Sequence, residues 1–348
     1  MEKIRLGRTG LMVTRLGFGG IPIQRLAEAE AVKVVKHCLD LGINFIDTAN
    51  AYTTSEERIG KAIAGRKRED LIIATKSTDR TREGVEKHLQ LSLKRLGTGY
   101  IDLYQFHNVS NDAAMKAVLS PDGPLAVLEA AKKAGTVRHI GISSHSIDIA
   151  KKLVKSGKFE TIMFPLNFIT YEHGEELLPL AREHDVGFIA MKPLAGGALD
   201  NIDVSLCFKY LFQFPDILLI PGIERTEEIE QIVQIYAGPR ELTPADWQEI
   251  ERIRAAVGQK FCRRCDYCQP CTEGINISIV MQTRSILKRL PPETTFSGWF
   301  NDEMGKANSC AQCGECEERC PFKLPIREMI SENTALFREA KRQWEESR

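Results

Sequence analysis

The chain has 348 residues, with 47 basic and 47 acidic side chains and a formal net charge of zero. That length suits one large domain and a smaller one, and balanced charge argues against nucleic acid or an anionic membrane as the main partner. The opening MEKIRLGRTG is no signal peptide and no long uncharged apolar run exists, so a cytoplasmic protein off the membrane is expected.

In chain order, KIRLGRTGLMVTRLGFGG alternates near period 2 around the turn signal Gly7-Arg8-Thr9-Gly10. It predicts a small hairpin running into a first strand that ends near Gly19-Gly20. Residues 28–41 carry helical periodicity up to Gly42, and NFIDTANAY (44–52) follows. Its apolar pair Phe45-Ile46 suits a buried strand, after which the chain switches to Asp47, Thr48, Asn50 and Tyr52. A helix is expected over EERIGKAIAG, a strand over LIIATKS ending at Lys76, and a helix over REGVEKHLQLSLKRL closed by Gly97. IDLYQFHN reads as a strand ending in His107, and the helical stretch after it is broken at Pro121-Asp122-Gly123-Pro124.

The alternation continues through VRHIGISS and IDIAKKLVKSG, TIMFPLNF and ELLPLAREHD, VGFIAMKPL and DVSLCFKYLFQF, and DILLIPG and TEEIEQIVQIYAG. Eight strand-then-helix units over about 225 residues approach the ~250 of a (β/α)₈ barrel, an α/β TIM-barrel fold with parallel strands. A doubly wound open sheet is the rival, disfavoured because no G-x-G-x-x-G follows the first strand. After the helix pattern TPADWQEIERIRAAVG the composition turns to cysteine and proline at Gly258. The domains are therefore expected at 1–257, the barrel, and 258–348, a smaller and mainly helical domain, with 338–348 a solvated helix.

Asp47 with Tyr52, Lys76 and His107 fall at the carboxyl ends of three successive strands, where barrels carry their chemistry. A phenol is a weak acid, with a free pKa of about 10. A cation beside it favours the phenolate, a carboxylate fixes the cation, and an imidazole can hydrogen-bond a substrate oxygen. The set suits proton transfer to a carbonyl oxygen as hydride arrives, or the reverse. The plainer alternative is a capping Asp, a half-buried Tyr and solvated strand ends.

The strings LGFGG, FIDTANAY, ATKS, DLYQFHN, GISSH, AMKPLAGGAL and LIPG, in this order, resemble the aldo-keto reductase superfamily over about residues 1–257. The resemblance implies an enzyme that interconverts an aldehyde or ketone and an alcohol with NADP or NAD. Tyr52 would be the general acid/base, Lys76 would lower its pKa, Asp47 would pair with Lys76, and His107 would orient the carbonyl. It also implies dinucleotide contacts at Gly20, Ser143, Ser144, Met191, Lys192, Pro193, Leu194, Gly197, Gly222, Arg225 and Glu228. Departures are Met163, where a Gln commonly meets the nicotinamide amide, and the acidic Glu224 and Glu228 in the adenosine-end loop. Either Arg225 compensates for those acids, or NADH is preferred, or the dinucleotide is held weakly.

Ten cysteines are present. Cys38 and Cys207 stand alone in apolar periodic stretches and read as core residues. The others form Cys262-x₂-Cys265-x₂-Cys268-x₂-Cys271 and Cys310-x₂-Cys313-x₂-Cys316-x₃-Cys320-Pro321. In the reducing compartment expected here such clusters hold metal, and the second run matches the bacterial ferredoxin pattern. In that pattern the fourth cysteine serves the other cluster. Two [4Fe–4S] clusters are therefore expected, one on Cys262, Cys265, Cys268 and Cys320 and one on Cys310, Cys313, Cys316 and Cys271. Structural zinc is the alternative. The whole chain resembles aldo-keto reductases with a C-terminal iron–sulfur domain. A small-molecule carbonyl substrate and a redox partner protein are the expected partners. An electron-transfer protein whose barrel serves such a partner instead of a dinucleotide is the competing reading.

Overall fold

The structure is a computed structural model that describes residues 1–199 and 201–348. Contacts divide the chain into two units, Met1–Ala195 with Ile202–Leu242, and Gly196–Asn201 with Thr243–Arg348. The helix Pro244–Val257 thus groups with the cysteine-bearing part.

The first unit opens with an antiparallel hairpin, β1 (Lys3–Arg5) and β2 (Met12–Thr14). Its turn needs Gly7, whose φ is 51° and whose missing Cβ would lie 2.1 Å from the Gly187 nitrogen. Eight parallel strands follow: β3 (Phe18–Gly19), β4 (Phe45–Asp47), β5 (Ile72–Ser77), β6 (Ile101–Phe106), β7 (Val137–Ser143), β8 (Thr161–Pro165), β9 (Gly187–Met191) and β10 (Ile217–Ile220). They pair in sequence order, and the bridges Leu16↔Leu219 and Gly19↔Gly222 join the last strand to the first. The sheet therefore closes on itself as a (β/α)₈ barrel.

Between the strands run α1 (Glu28–Asp40), α2 (Ser55–Ile63), α3 (Arg82–Leu96), the pair α4 (Asp112–Leu119) and α5 (Leu125–Lys133), α6 (Ile147–Lys155), α7 (Tyr171–Glu183), α8 (Val204–Phe212) and α9 (Thr226–Ala237). Alternate residues of each strand point inward, so Phe45, Ala74, Leu103, Met163, Ile189 and Leu218 fill the barrel, with Leu6 and Val13 of the hairpin segment in the same cluster. Two residues further along three of these strands the layer turns polar, with Asp47, Lys76 and Gln105 all buried. The lone cysteines Cys38 and Cys207 are fully buried, and burial pushes the Cys38 thiol up to about 12.

The second unit contains α10 (Pro244–Val257), α11 (Ile277–Val280), α12 (Thr283–Arg289), α13 (Pro292–Phe296), α14 (Trp299–Ala307), α15 (Glu315–Glu318) and α16 (Ile326–Glu346). Its core gathers Ile277, Val280, Phe300, Met304, Ile330 and Phe337 together with Cys268, Cys316 and Cys320. The tail at 338–348 continues α16, a 21-residue helix whose earlier turns bury Met329, Ile330 and Phe337. Among the described residues no helix is long and apolar enough to cross a membrane.

Candidate active site and cysteine cavities

Lys76 is 1 % exposed and its Nζ donates to Asp47 Oδ2 and to the Thr48 carbonyl, both at 2.6 Å. Gln105 Nε2 reaches the other Asp47 oxygen at 3.3 Å. Pairing register explains the convergence: Asp47 faces Ala74, and Lys76 faces Gln105, so the three side chains rise from neighbouring strands into one layer. Burial pushes the Asp47 carboxyl up, and the Lys76 ammonium and Gln105 amide only partly offset this. Burial works against the Lys76 ammonium too, but Asp47, Tyr52 and Glu56 outweigh it and hold Lys76 above the usual lysine range. Two short contacts to oxygen fit an ammonium that donates to both.

Tyr52 lies on the loop between β4 and α2, half-buried, with Lys76 Nζ 5.2 Å from its ring centroid. His107 follows β6 directly, and its backbone N–H donates to the Ser77 carbonyl at 2.8 Å. The Tyr52 and His107 rings meet edge to face, with centroids 5.6 Å apart at 83°. Arg80 Nη2 holds the His107 carbonyl at 2.6 Å. Phenol, ammonium, carboxylate and imidazole thus meet at the carboxyl end of the strands. Gln105, absent from the residues singled out in the sequence, completes the set. Its signal was alternation, since it shares a strand face with Leu103.

The other residues expected at the site lie as follows. Gly20 donates its N–H to the Asp47 carbonyl at 2.8 Å, and a Cβ there would sit 2.8 Å from that oxygen. Gly222 bridges to Gly19. The Ser143 hydroxyl accepts from the Asn108 N–H at 2.8 Å, and the Ser144 hydroxyl exchanges 3.2 Å contacts with the Ser146 backbone. Met191 ends β9, and the turn after it takes positive φ at Lys192 (59°), Ala195 (49°), Gly196 (71°) and Gly197 (103°). Met163 packs in the barrel core. At the start of α9 the Glu228 carboxylate accepts from the Glu224 N–H at 2.9 Å and pairs with the Arg225 guanidinium at 3.2 Å. One carboxylate of that loop is thereby spent on capping the helix and holding the loop's cation.

The model of the aldo/keto reductase family matches residues 15–205. The chain belongs to the aldo/keto reductase family. YqkF of Bacillus subtilis, an uncharacterized oxidoreductase, is 32 % identical over 213 residues, 57 % of this chain and 67 % of the relative. L-galactose dehydrogenase of Arabidopsis thaliana is 33 % identical over 217 residues, again 57 % and 67 % of the two chains. Among solved structures, aldo-keto reductase AKR11C1 from Bacillus halodurans in its holo form is similar with a TM-score of 0.63. The two chains are 27 % identical, over 73 % of this chain and 96 % of that one. A 4Fe-4S dicluster domain matches residues 261–325.

Within that domain eight cysteines line two cavities. Cys262, Cys265, Cys268 and Cys320 surround one, with Phe322, Met281 and Leu324 beside them. Cys271, Cys310, Cys313 and Cys316 surround the other, with Glu273, Glu315, Arg319 and Arg327. Ile277 touches both cavities. Among the described residues no group of three or more His, Cys, Asp or Glu side chains is placed to hold a single metal ion. Burial pushes the Cys262 thiol up to about 11 and the Cys268 thiol up to about 12, and a metal bound between them would favour their thiolate forms. Sulfur donors set around a cavity fit an iron–sulfur cluster.

Proposed function

We propose that this aldo/keto reductase interconverts an aldehyde or ketone and the corresponding alcohol, with Tyr52 as general acid and base. The observation that carries the reading is the buried ammonium of Lys76, held at 2.6 Å by Asp47 and set 5.2 Å from the Tyr52 ring. A nicotinamide dinucleotide, when bound, supplies the hydride. During reduction Tyr52 gives its hydroxyl proton to the carbonyl oxygen. Lys76 stabilises the phenolate left behind, Asp47 and Gln105 hold Lys76 in place, and His107 hydrogen-bonds the same substrate oxygen. Oxidation runs these roles backwards.

The dinucleotide would lie along Gly20, Ser143, Ser144, the turn Met191–Lys192–Pro193–Leu194 with Gly197, and Gly222, Arg225 and Glu228. The positive-φ turn after Met191 would give it close backbone approach, while the space a Cβ would take at Gly20 and Gly222 is filled by Asp47 and Pro22. A relative solved in a holo form supports a bound cofactor for the fold.

We further propose two [4Fe–4S] clusters, on Cys262, Cys265, Cys268 and Cys320, and on Cys271, Cys310, Cys313 and Cys316. Three of these cysteines sit in the core of the second unit, which supports a folding role for the metal. The exposed Cys313 supports a second reading, one-electron exchange with a redox partner protein.

Titration with NADH and NADPH, followed by a coupled screen of aldehydes and ketones, tests the reductase reading. Tyr52→Phe should lower carbonyl reduction by at least about 10³-fold while dinucleotide affinity stays within about threefold. Retained turnover refutes the role of Tyr52. Absence of binding by either dinucleotide favours the electron carrier.

A further inference from the structure

A second carboxylate lies behind Lys76. Glu56, in the first turn of α2, is 1 % exposed, and the proton-transfer scheme leaves it without a task. Its Oε1 accepts from the Thr75 hydroxyl at 2.7 Å, and Thr75 is the residue before Lys76 on β5. Its Oε2 lies 3.4 Å from Arg95 Nη1, on α3. The same Nη1 donates to the Asn50 carbonyl at 3.3 Å, two residues before Tyr52. Asn50 in turn donates its N–H to the Lys76 carbonyl at 3.0 Å. The loop that carries Tyr52 is thus fastened to β5 directly and, through Arg95 and Glu56, to two helices.

A buried acid costs stability unless what it holds repays the loss of solvent. Here both oxygens serve the two residues on which proton transfer depends, one through Thr75 and one through the Asn50 loop. We propose that Glu56, with Arg95, is a positioning residue that holds the Tyr52 loop against β5 and adds a second negative charge behind the Lys76 ammonium. The inference rests on Tyr52 being the proton donor.

The charged and titratable groups that interact with Glu56 are Lys76 on β5, Tyr104 on β6, Arg95 on α3 and, through Arg95, its own neighbour Glu57, which shares Arg95 at 3.5 Å. Burial pushes the Tyr104 phenol far up, with Glu56 adding to the effect, so Tyr104 stays neutral and contributes no charge. Glu56 also adds to the charges that hold Lys76 up. The sign for Tyr52 follows from electrostatics. Removing a nearby negative charge favours the phenolate and disfavours the ammonium, so both groups titrate at lower pH. Carbonyl reduction needs the protonated phenol, and its alkaline limb therefore moves down.

Three variants test this in the full chain. Glu56→Gln keeps an acceptor for Thr75 and removes the charge; Glu56→Ala removes both; Arg95→Met releases the Asn50 carbonyl. Glu56→Ala and Arg95→Met should lower kcat about tenfold with KM within twofold, as expected when the loop loosens around an intact binding site. Glu56→Gln should recover most of kcat yet shift the alkaline limb down by about half a pH unit. The Tyr52 phenol is also read without turnover, by ultraviolet titration of each protein against the same protein carrying Tyr52→Phe. A lower phenol pKa in Glu56→Gln supports the proposal even if carbonyl turnover by Tyr52 has been refuted. An unchanged phenol pKa in Glu56→Gln overturns the electrostatic role, and wild-type kcat in Arg95→Met overturns the clamp, including where Glu56→Ala fails to fold.

Discussion

Gln105 is a buried amide expected to matter more to the proposed chemistry than to stability. Its nitrogen holds Asp47 at 3.3 Å, while its oxygen is buried with no hydrogen-bond partner among the described residues. Replacing an amide that is only half satisfied by an apolar side chain of similar length is close to neutral. Gln105→Met should therefore change unfolding free energy by less than about 1 kcal/mol. It should lower kcat for carbonyl reduction about tenfold, because one Asp47 oxygen loses its donor and the carboxylate holds Lys76 less firmly. Denaturant melts and steady-state kinetics on the same preparation check both halves. The string IDLYQFHN puts Leu103, Gln105 and His107 on one strand face, but not which face turns into the barrel. Closure of the sheet decided that.

At the scale of the element, the strands carry the site and short polar ties keep them in register. Glu160, just before β8, accepts from His139 Nδ1 of β7 and from Lys132 of α5, both at 2.7 Å, and from the Ile140 N–H at 2.9 Å. Burial works against this carboxylate, yet His139, Lys132 and the Ile140 N–H prevail and hold it down to about 2. A depressed carboxyl contributes stability that is fully present above its unfolded value near 4.5 and is lost as pH falls through about 2. Glu160→Gln should destabilise the protein by on the order of 2 kcal/mol at pH 7, and the difference should shrink steadily below about pH 4.5. Denaturant melts between neutral and acid pH measure it; a penalty that does not change with pH counts against the ion pairs. The helices were unevenly legible. α3 matches the REGVEKHLQLSLKRL pattern to the residue, with Gly97 ending it in a left-handed turn; the structure adds the Thr81 side chain as its cap. α7 begins at Tyr171, earlier than the ELLPLAREHD pattern suggests, and it contains Pro179. Gly174 weakens the local signal there, yet a Cβ at that position would lie 2.1 Å from a Leu166 side-chain carbon, so tertiary packing favours the glycine that propensity penalises.

For the whole molecule, the proposed clusters would couple metal to fold in the second unit. Its core packs Phe296, Phe300, Phe337, Met304, Met329 and the aliphatics around Ile277 together with Cys268, Cys316 and Cys320. If each cavity holds one cluster, Cys265→Ser and Cys313→Ser should each remove one of two dithionite-reduced EPR signals and lower iron from about eight to about four per chain. Loss of both signals in either variant would point to a single shared centre. Anaerobic iron removal from the wild type should strip hydrogen-exchange protection from residues 261–325, because structural metal binding is folding free energy.

The fold class, the eight-unit alternation, the four catalytic candidates and the grouping of the cysteines were determined by sequence alone. Local periodicity and residue type carry that information over short distances. Tertiary structure decided which strand faces turn inward, that Gln105 meets Asp47, and that Glu56 meets Thr75 and Arg95. Those depend on side chains far apart in the chain meeting across a closed sheet, and no short window of sequence contains both partners.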